Sequence, residues 1–493
     1  MSVMTFRLFS ALSRSLTCAS NASKQRSPST EKKINGAAPL FPESPRLNGK
    51  RPLFSTTTVI LGPASSIRSY LERGVRARIA RTIKRYAGND KVKLTGGNLN
   101  TVRKALSIVF LSTLVAGSTA IISARAATKL TSAVYVAQNP TGPNSVALLV
   151  QESTTGLMTL VDTYPTGGAG DASVNGHQSH ALISNGTFLF VTNSGDNTVT
   201  SFQIGAGGAL TKVGSYSSEG YVPVSLAVKG SRLIVLNQGS KNSNLAGSVH
   251  VLRIQKDGSL TPVPQAHFDF LSSDGPAEVL ASPTSSVFSV ALSRSNRVDH
   301  FILKANGSIA RTDSVSHIIS PLGGAVASTR PTTFIYTLAS AARPGVVGLS
   351  VDRKGRTTRE YLNIRKDLAD PCWAAIHPNQ KRVWLSSFKT RALSLYSINS
   401  RGAMKPISDY IPVTTGPRAT DIGVDSTGRY LFRLRRLEAD TPNAPVSSVV
   451  DTLRIRSVAT NAGLALVQTT SLPASWATSP ATGVEVVSVP QLQ

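Results

Sequence analysis

The sequence predicts an all-β chain folded as a seven-bladed β-propeller and closed by its own C-terminal strand. Two observations predict this. A strand, turn and strand unit recurs seven times after residue 129, and the inner strand absent from the first repeat is found at the far end of the chain.

The clearest copy of the unit is 248–265, SVHVLRIQKDGSLTPVPQ. Two runs rich in β-formers flank Lys256-Asp257-Gly258. Asp-Gly predicts a two-residue hairpin with both central residues at positive φ. The other copies turn at Gly156, Gly208, Gly307, Gly355, Gly402 and Gly463, spaced 47–52 residues apart until the last, which carries an insertion around 437–447. Two more short alternating strands precede most hairpins, such as PVSLAVKG and SRLIVLNQ before the copy at Gly258. Each blade therefore reads inner strand, second strand, outer hairpin.

Before the first hairpin there is only SAVYVAQN, a second strand. GVEVVSV, at 483–489, lies beyond the seventh hairpin and supplies the missing inner strand. Pairing these two closes the ring and covers both edges. The propeller is thus placed at 130–490. As an outer element, the 256–258 turn is expected to tolerate substitution.

The region before the propeller has a different composition. Residues 1–104 hold 20 of the 53 basic side chains but only four acids, so more than half of the net charge of +27 lies outside the repeats. No Lys/Arg run interleaves with stacking aromatics, and the expectation is that nucleic acid is not a partner. Residues 1–30 are rich in Ser and Arg and lack acids, as in a mitochondrial-type targeting peptide. Pro, Ser and Asn then dominate to residue 58, which predicts disorder, and 66–86 reads as a basic helix. Residues 105–124, from Ala105 to Ala124, are uncharged and long enough to span a bilayer. Ala124-Arg125-Ala126 resembles a signal cleavage site, so 105–126 reads as a signal or anchor helix. The Arg103-Lys104 flank predicts that the propeller lies outside the cytoplasm. The expected location is secreted or extracytoplasmic, with a single-pass membrane anchor or a mitochondrial location as alternatives. The two cysteines, Cys18 and Cys372, are far apart, so no internal disulfide is expected. Asn185-Gly186-Thr187 and Asn306-Gly307-Ser308 match a glycosylation pattern, but turn chemistry accounts for both.

Several stretches carry a family resemblance. SHALISNGTFLFVTNSGDNTVTSF resembles the strand, turn and Asn-rich strand end of the lactonase-type seven-bladed propellers, with their YVTN-like repeats. This superfamily includes the propeller-type 6-phosphogluconolactonases and the carboxymuconate cyclases. CWAAIHPNQKRVWLSSF resembles the Cys-Trp blade of an uncharacterised branch. PRATDIGVDSTGRYLF resembles the last-blade Thr-Asp strand, and SLPASW followed by TGVEVV resembles the closing tail. The resemblance spans about 130–490. It implies the propeller fold and a lactonase-like activity, either hydrolase or cycloisomerase. Turns such as SPTSSV and HPNQKR depart from the family's Pro-Asp-Gly.

In a propeller the inner strands line a central channel, and the loops leading into them form a funnel. The residues at those strand starts are His177 and His180, Val222 and Pro223, Glu278, Gly323 and Gly324, Cys372 and Trp373, and Arg418, Thr420 and Asp421. A lactonase needs a base to activate water and a cation for the developing oxyanion. Glu278 or His180 is the candidate base, Arg418 the candidate clamp, and Asp421 a group that could orient either. The competing reading is structural: Glu278 and Arg418 neutralise each other, Asp421 bonds a neighbouring backbone, His180 and Trp373 pack in the wall, and Cys372 is a small buried hydrophobe. His177 and His180 lack the partners of a zinc site, and phosphate loops, GxSxG and HExxH are absent. No metal and no cofactor are expected. Two functions stand side by side: lactone hydrolysis or cyclisation in the funnel, and a non-catalytic propeller that binds a small ligand or a protein. A monomer is expected.

Overall fold

The computed structural model describes residues 130–174, 180–240, 242–410, 418–436, 448–456, 463–476 and 481–490. The leader, the apolar segment at 105–126, His177 and the insertion at 437–447 lie outside the described residues. Among the described residues no helix is long and apolar enough to cross a membrane.

The chain forms seven four-stranded sheets. Six are antiparallel meanders of consecutive strands. The inner strand of the first blade is the last strand of the chain, Ala481–Pro490, which pairs antiparallel with Leu130–Gln138 from Leu130↔Pro490 to Gln138↔Ala481. The expected closure is therefore present, and it gives the first sheet an inner strand where an open ring would leave a row of unpaired backbone groups.

The strands are buried more evenly than alternation predicts. Second strands such as Phe188–Asn193, Val287–Leu292 and Thr332–Leu338 are buried at every position. The reason is geometric. Each blade is sandwiched between two neighbours, so both faces of its middle strands pack, and the sequence runs apolar without alternating. Phe288 and Phe301, opposite each other in the fourth blade, stack with centroids 5.0 Å apart and share an apolar cluster with Val224, Ile234 and Val251 of the third blade. The outer strands, such as Thr357–Ile364, are largely exposed.

The hairpin turns differ from the expectation. At 255–259, Gly258 N–H donates to Gln255 O at 3.1 Å and Gln255 N–H donates to Ser259 O at 2.9 Å. Only Gly258 has positive φ (85°), and the Asp257 carboxylate accepts the Ser259 N–H at 3.0 Å. This is a three-residue turn ending in a left-handed glycine, in which Asp acts through its side chain. The same bonds recur at 304–308, 352–356 and 399–403.

These glycines also bear on the preceding blade, which overturns the expected tolerance of the turn. Gly258 is buried, and a Cβ there would lie 2.3 Å from the Phe188 ring of the second blade. Gly307 faces Val263, Gly355 faces Thr312, Gly402 faces Thr333, and Gly156 closes the ring against Tyr430. The outer hairpins are therefore inter-blade contacts, at positions where a side chain would push two blades apart.

Candidate active site at the mouth of the channel

The inner strands begin with a repeated irregularity. His180, Val222, Ser320 and Asp370 each lie at positive φ immediately before or near an inner strand, at 53°, 60°, 42° and 50°. Side-chain acceptors hold two of these turns: Asn197 accepts the Val222 N–H at 2.8 Å, and Asn296 accepts the Ser320 N–H at 2.9 Å. The register then slips, between Pro223 and Ser225, Pro276 and Glu278, Pro371 and Trp373, and Ala419 and Asp421. Ser225, Glu278, Trp373 and Asp421 thus occupy equivalent places just past a bulge, a feature that re-aims side chains at the end of a strand.

The channel is a cavity of about 320 Å³ walled by all seven inner strands. Several contribute three consecutive residues, such as Ala374, Ala375 and Ile376, so they meet the channel edge-on. An edge strand carries backbone donors without a ladder partner. Several are satisfied across blade boundaries. His180 O accepts Leu226 N–H at 3.0 Å, and Ser225 Oγ accepts Val279 N–H at 3.1 Å. Asp421 Oδ2 accepts Val484 N–H at 2.8 Å, and Glu485 Oε1 accepts Ser184 N–H at 2.9 Å.

Three carboxyl groups, Glu278, Asp421 and Glu485, gather around His180. Its Nδ1 is hydrogen-bonded to Glu278 Oε1, and Glu278 is fully buried. Burial pushes the imidazole pKa down, but the Glu278 charge, its hydrogen bond, and the charges of Asp421 and Glu485 together outweigh this and raise it to about 9. The ring therefore keeps its proton at neutral pH. That suits it to hold a developing oxyanion and argues against the general-base role that the sequence offered for it. Burial pushes Asp421 up to about 7, against the opposing pull of His180 and two backbone N–H bonds. Burial likewise lifts Glu485 to about 7, opposed by the Ser184 N–H and His180. His180 and Glu485 line the cavity, where water can reach them although protein surrounds them on most sides.

The structure thus brings Glu278, His180 and Asp421 into one cluster. Arg418 is elsewhere: its guanidinium lies over the Phe388 ring, 5.0 Å from the centroid, and it is not among the described residues of the channel wall. Cys372 and Trp373 are buried in the apolar cluster between the sixth and seventh blades, and Gly324 lines the channel. Among the described residues no group of three His, Cys, Asp or Glu is arranged to hold a metal ion. Sequence reasoning missed Glu485. It is nonetheless the one charged residue in GVEVVSV, the segment that closes the ring as an inner strand.

Residues 133–266 match the family model for the lactonase seven-bladed β-propeller. The chain is similar to the lactonase-type propellers. Solved structures share the fold over about three quarters of the chain. A protein of Bacteroides fragilis provisionally assigned as a 6-phosphogluconolactonase is 14% identical, with 73% of this chain and 99% of that chain covered and a TM-score of 0.56. A Bacteroides uniformis protein with the same provisional assignment is 14% identical, over 72% and 99% of the two chains, with a TM-score of 0.55. A Sulfolobus tokodaii protein described as a hypothetical selenium-binding protein is 9% identical, over 74% and 96%, with a TM-score of 0.54. No curated protein matches by sequence. At these identities the structures establish the β-propeller fold alone and leave the reaction to the residues of the site.

Proposed function

We propose that this lactonase-type propeller hydrolyses a small lactone at the His180 end of its channel. The observation that carries the reading is a pair of channel-facing groups with displaced pKa values: His180, raised to about 9, and Glu485, raised to about 7. At neutral pH one is a cation and the other a carboxylate poised to accept a proton, which is the division of labour that ester hydrolysis requires.

In the reaction, Glu485 takes a proton from water as the water oxygen bonds to the lactone carbonyl carbon. Imidazolium His180 stabilises the oxyanion of the tetrahedral adduct. The adduct collapses, the ring C–O bond breaks, and the leaving oxygen takes the proton from Glu485. The product is an open-chain hydroxy acid, which loses its carboxyl proton to solvent. Glu278 is a positioning residue that orients the imidazole and holds its proton. Asp421 keeps the closing strand, and therefore Glu485, in place.

The test is the pH dependence of lactone hydrolysis by the full chain. Turnover should rise through about 7 and fall above about 9, in a bell whose limbs belong to the coupled carboxylates and to His180. H180Q should lower kcat by about 10²–10³-fold, as loss of an oxyanion donor does. E278Q should move the alkaline limb towards a lower pH. Hydrolysis no faster than in buffer alone would sink the proposal. A non-catalytic ligand-binding propeller is the second reading, favoured by the backbone bonds that Asp421 and Glu485 already make.

A further inference from the structure

We propose that the channel takes an uncharged lactone and rejects phosphorylated or otherwise anionic ones. This deepens the hydrolase reading and rests on it.

The first observation is the composition of the wall. Of its 20 residues, 16 are aliphatic, two are glycines, and only His180 and Glu485 ionise. No lysine or arginine is among them. The undescribed segments that lead into three inner strands, 175–179, 411–417 and 477–480, contain none in the sequence either. Phosphate and carboxylate recognition relies on charge-assisted bonds from Arg, Lys or clustered N–H groups. Among the described residues of the wall the one cation, His180, is already paired with buried Glu278.

The second observation is the sign of the cluster. Glu278, Asp421 and Glu485 surround one imidazole, so full ionisation leaves this cluster with two more negative charges than positive. A further anion entering the channel meets net repulsion from these carboxylates. The edge-on inner strands instead offer backbone N–H and C=O dipoles, which suit hydroxyls and a ring oxygen. The cavity, about 320 Å³, is at the small end of the range for small-molecule sites and fits a single ring. The same field acts on the product: ring opening creates a carboxylate, which the cluster repels, so release is assisted once the bond is broken.

The experiment compares two non-hydrolysable ligands on the full chain by calorimetry: a neutral sugar δ-lactam and the same lactam carrying a phosphate ester. The neutral lactam is expected to bind about tenfold or more tightly than the phosphorylated one. Raising ionic strength should narrow that gap by improving binding of the phosphorylated lactam while leaving the neutral one unchanged. Tighter binding of the phosphorylated lactam, or binding of neither, overturns the proposal. Binding of the neutral lactam with no turnover of the matching lactone supports it while removing the hydrolase reading.

Discussion

Asp421, on the inner strand of the seventh blade, accepts a hydrogen bond from the backbone N–H of Val484 on the closing strand, with Oδ2 2.8 Å from the nitrogen. Its other oxygen accepts the N–H of Ile422 at 2.8 Å. One buried side chain thus supplies acceptors on both sides of the junction where the ends of the propeller meet. D421A should lower stability by about 1–3 kcal/mol for each donor left unpaired. D421N keeps one oxygen acceptor and should lose less. Urea denaturation followed by tryptophan fluorescence measures both, and a D421A midpoint equal to the wild type would refute this role.

Stability should fall as the pH rises. Three groups bind their protons more tightly in the folded chain: His180 at about 9 against 6.5, Asp421 at about 7 against 3.8, and Glu485 at about 7 against 4.5. The folded state then holds more protons than the unfolded one, so raising the pH favours unfolding. The carboxyl contribution is complete below the unfolded values and is lost as the pH climbs through 7. The His180 contribution is complete below 6.5 and is lost through 9. A series of Tm values across this range should decline, and H180Q should flatten the upper part. A wild-type Tm that climbs between neutral and alkaline pH would contradict the assignment.

Closure should be indispensable. Removing 482–493 strips the inner strand from the first blade and exposes the edge of Leu130–Gln138. An uncovered edge of a long apolar strand invites pairing with another chain. Sedimentation of the truncated protein should reveal aggregates. A soluble monomer with an unchanged Tm would show that the ring holds without its last strand.

The turn at Gly258 should not tolerate a side chain. Its φ of 85° is unfavourable for other residues, and the added methyl would meet the Phe188 ring. G258A is expected to cost about 1–3 kcal/mol, in the range of overpacked sites. K256A, at an exposed position two residues away, should stay within about 0.5 kcal/mol of the wild type. Equal urea midpoints for the two variants would show that the blades give way easily.

The architecture is legible in the order of the amino acids. The spacing of its Gly-containing turns counts the blades, and the unmatched GVEVVSV segment identifies the strand that closes them. Both are local signals, since turn chemistry and strand composition act over a few residues. The same order places Glu278, His180 and Asp421 at inner-strand starts, where a channel would gather them. The surroundings of those residues arise only in the folded ring. Whether His180 carries a proton depends on three carboxylates at positions 278, 421 and 485, and their proximity arises only when the ring closes. Arg418 has the right charge and the right place in its strand, yet its guanidinium lies over the Phe388 ring, a residue of the neighbouring blade 30 positions earlier in the chain. Gly258 looked like a free turn residue because the Phe188 it packs against lies 70 positions earlier in the chain. Periodicity is written along the chain, whereas charge, direction and contact between blades are properties of the closed ring.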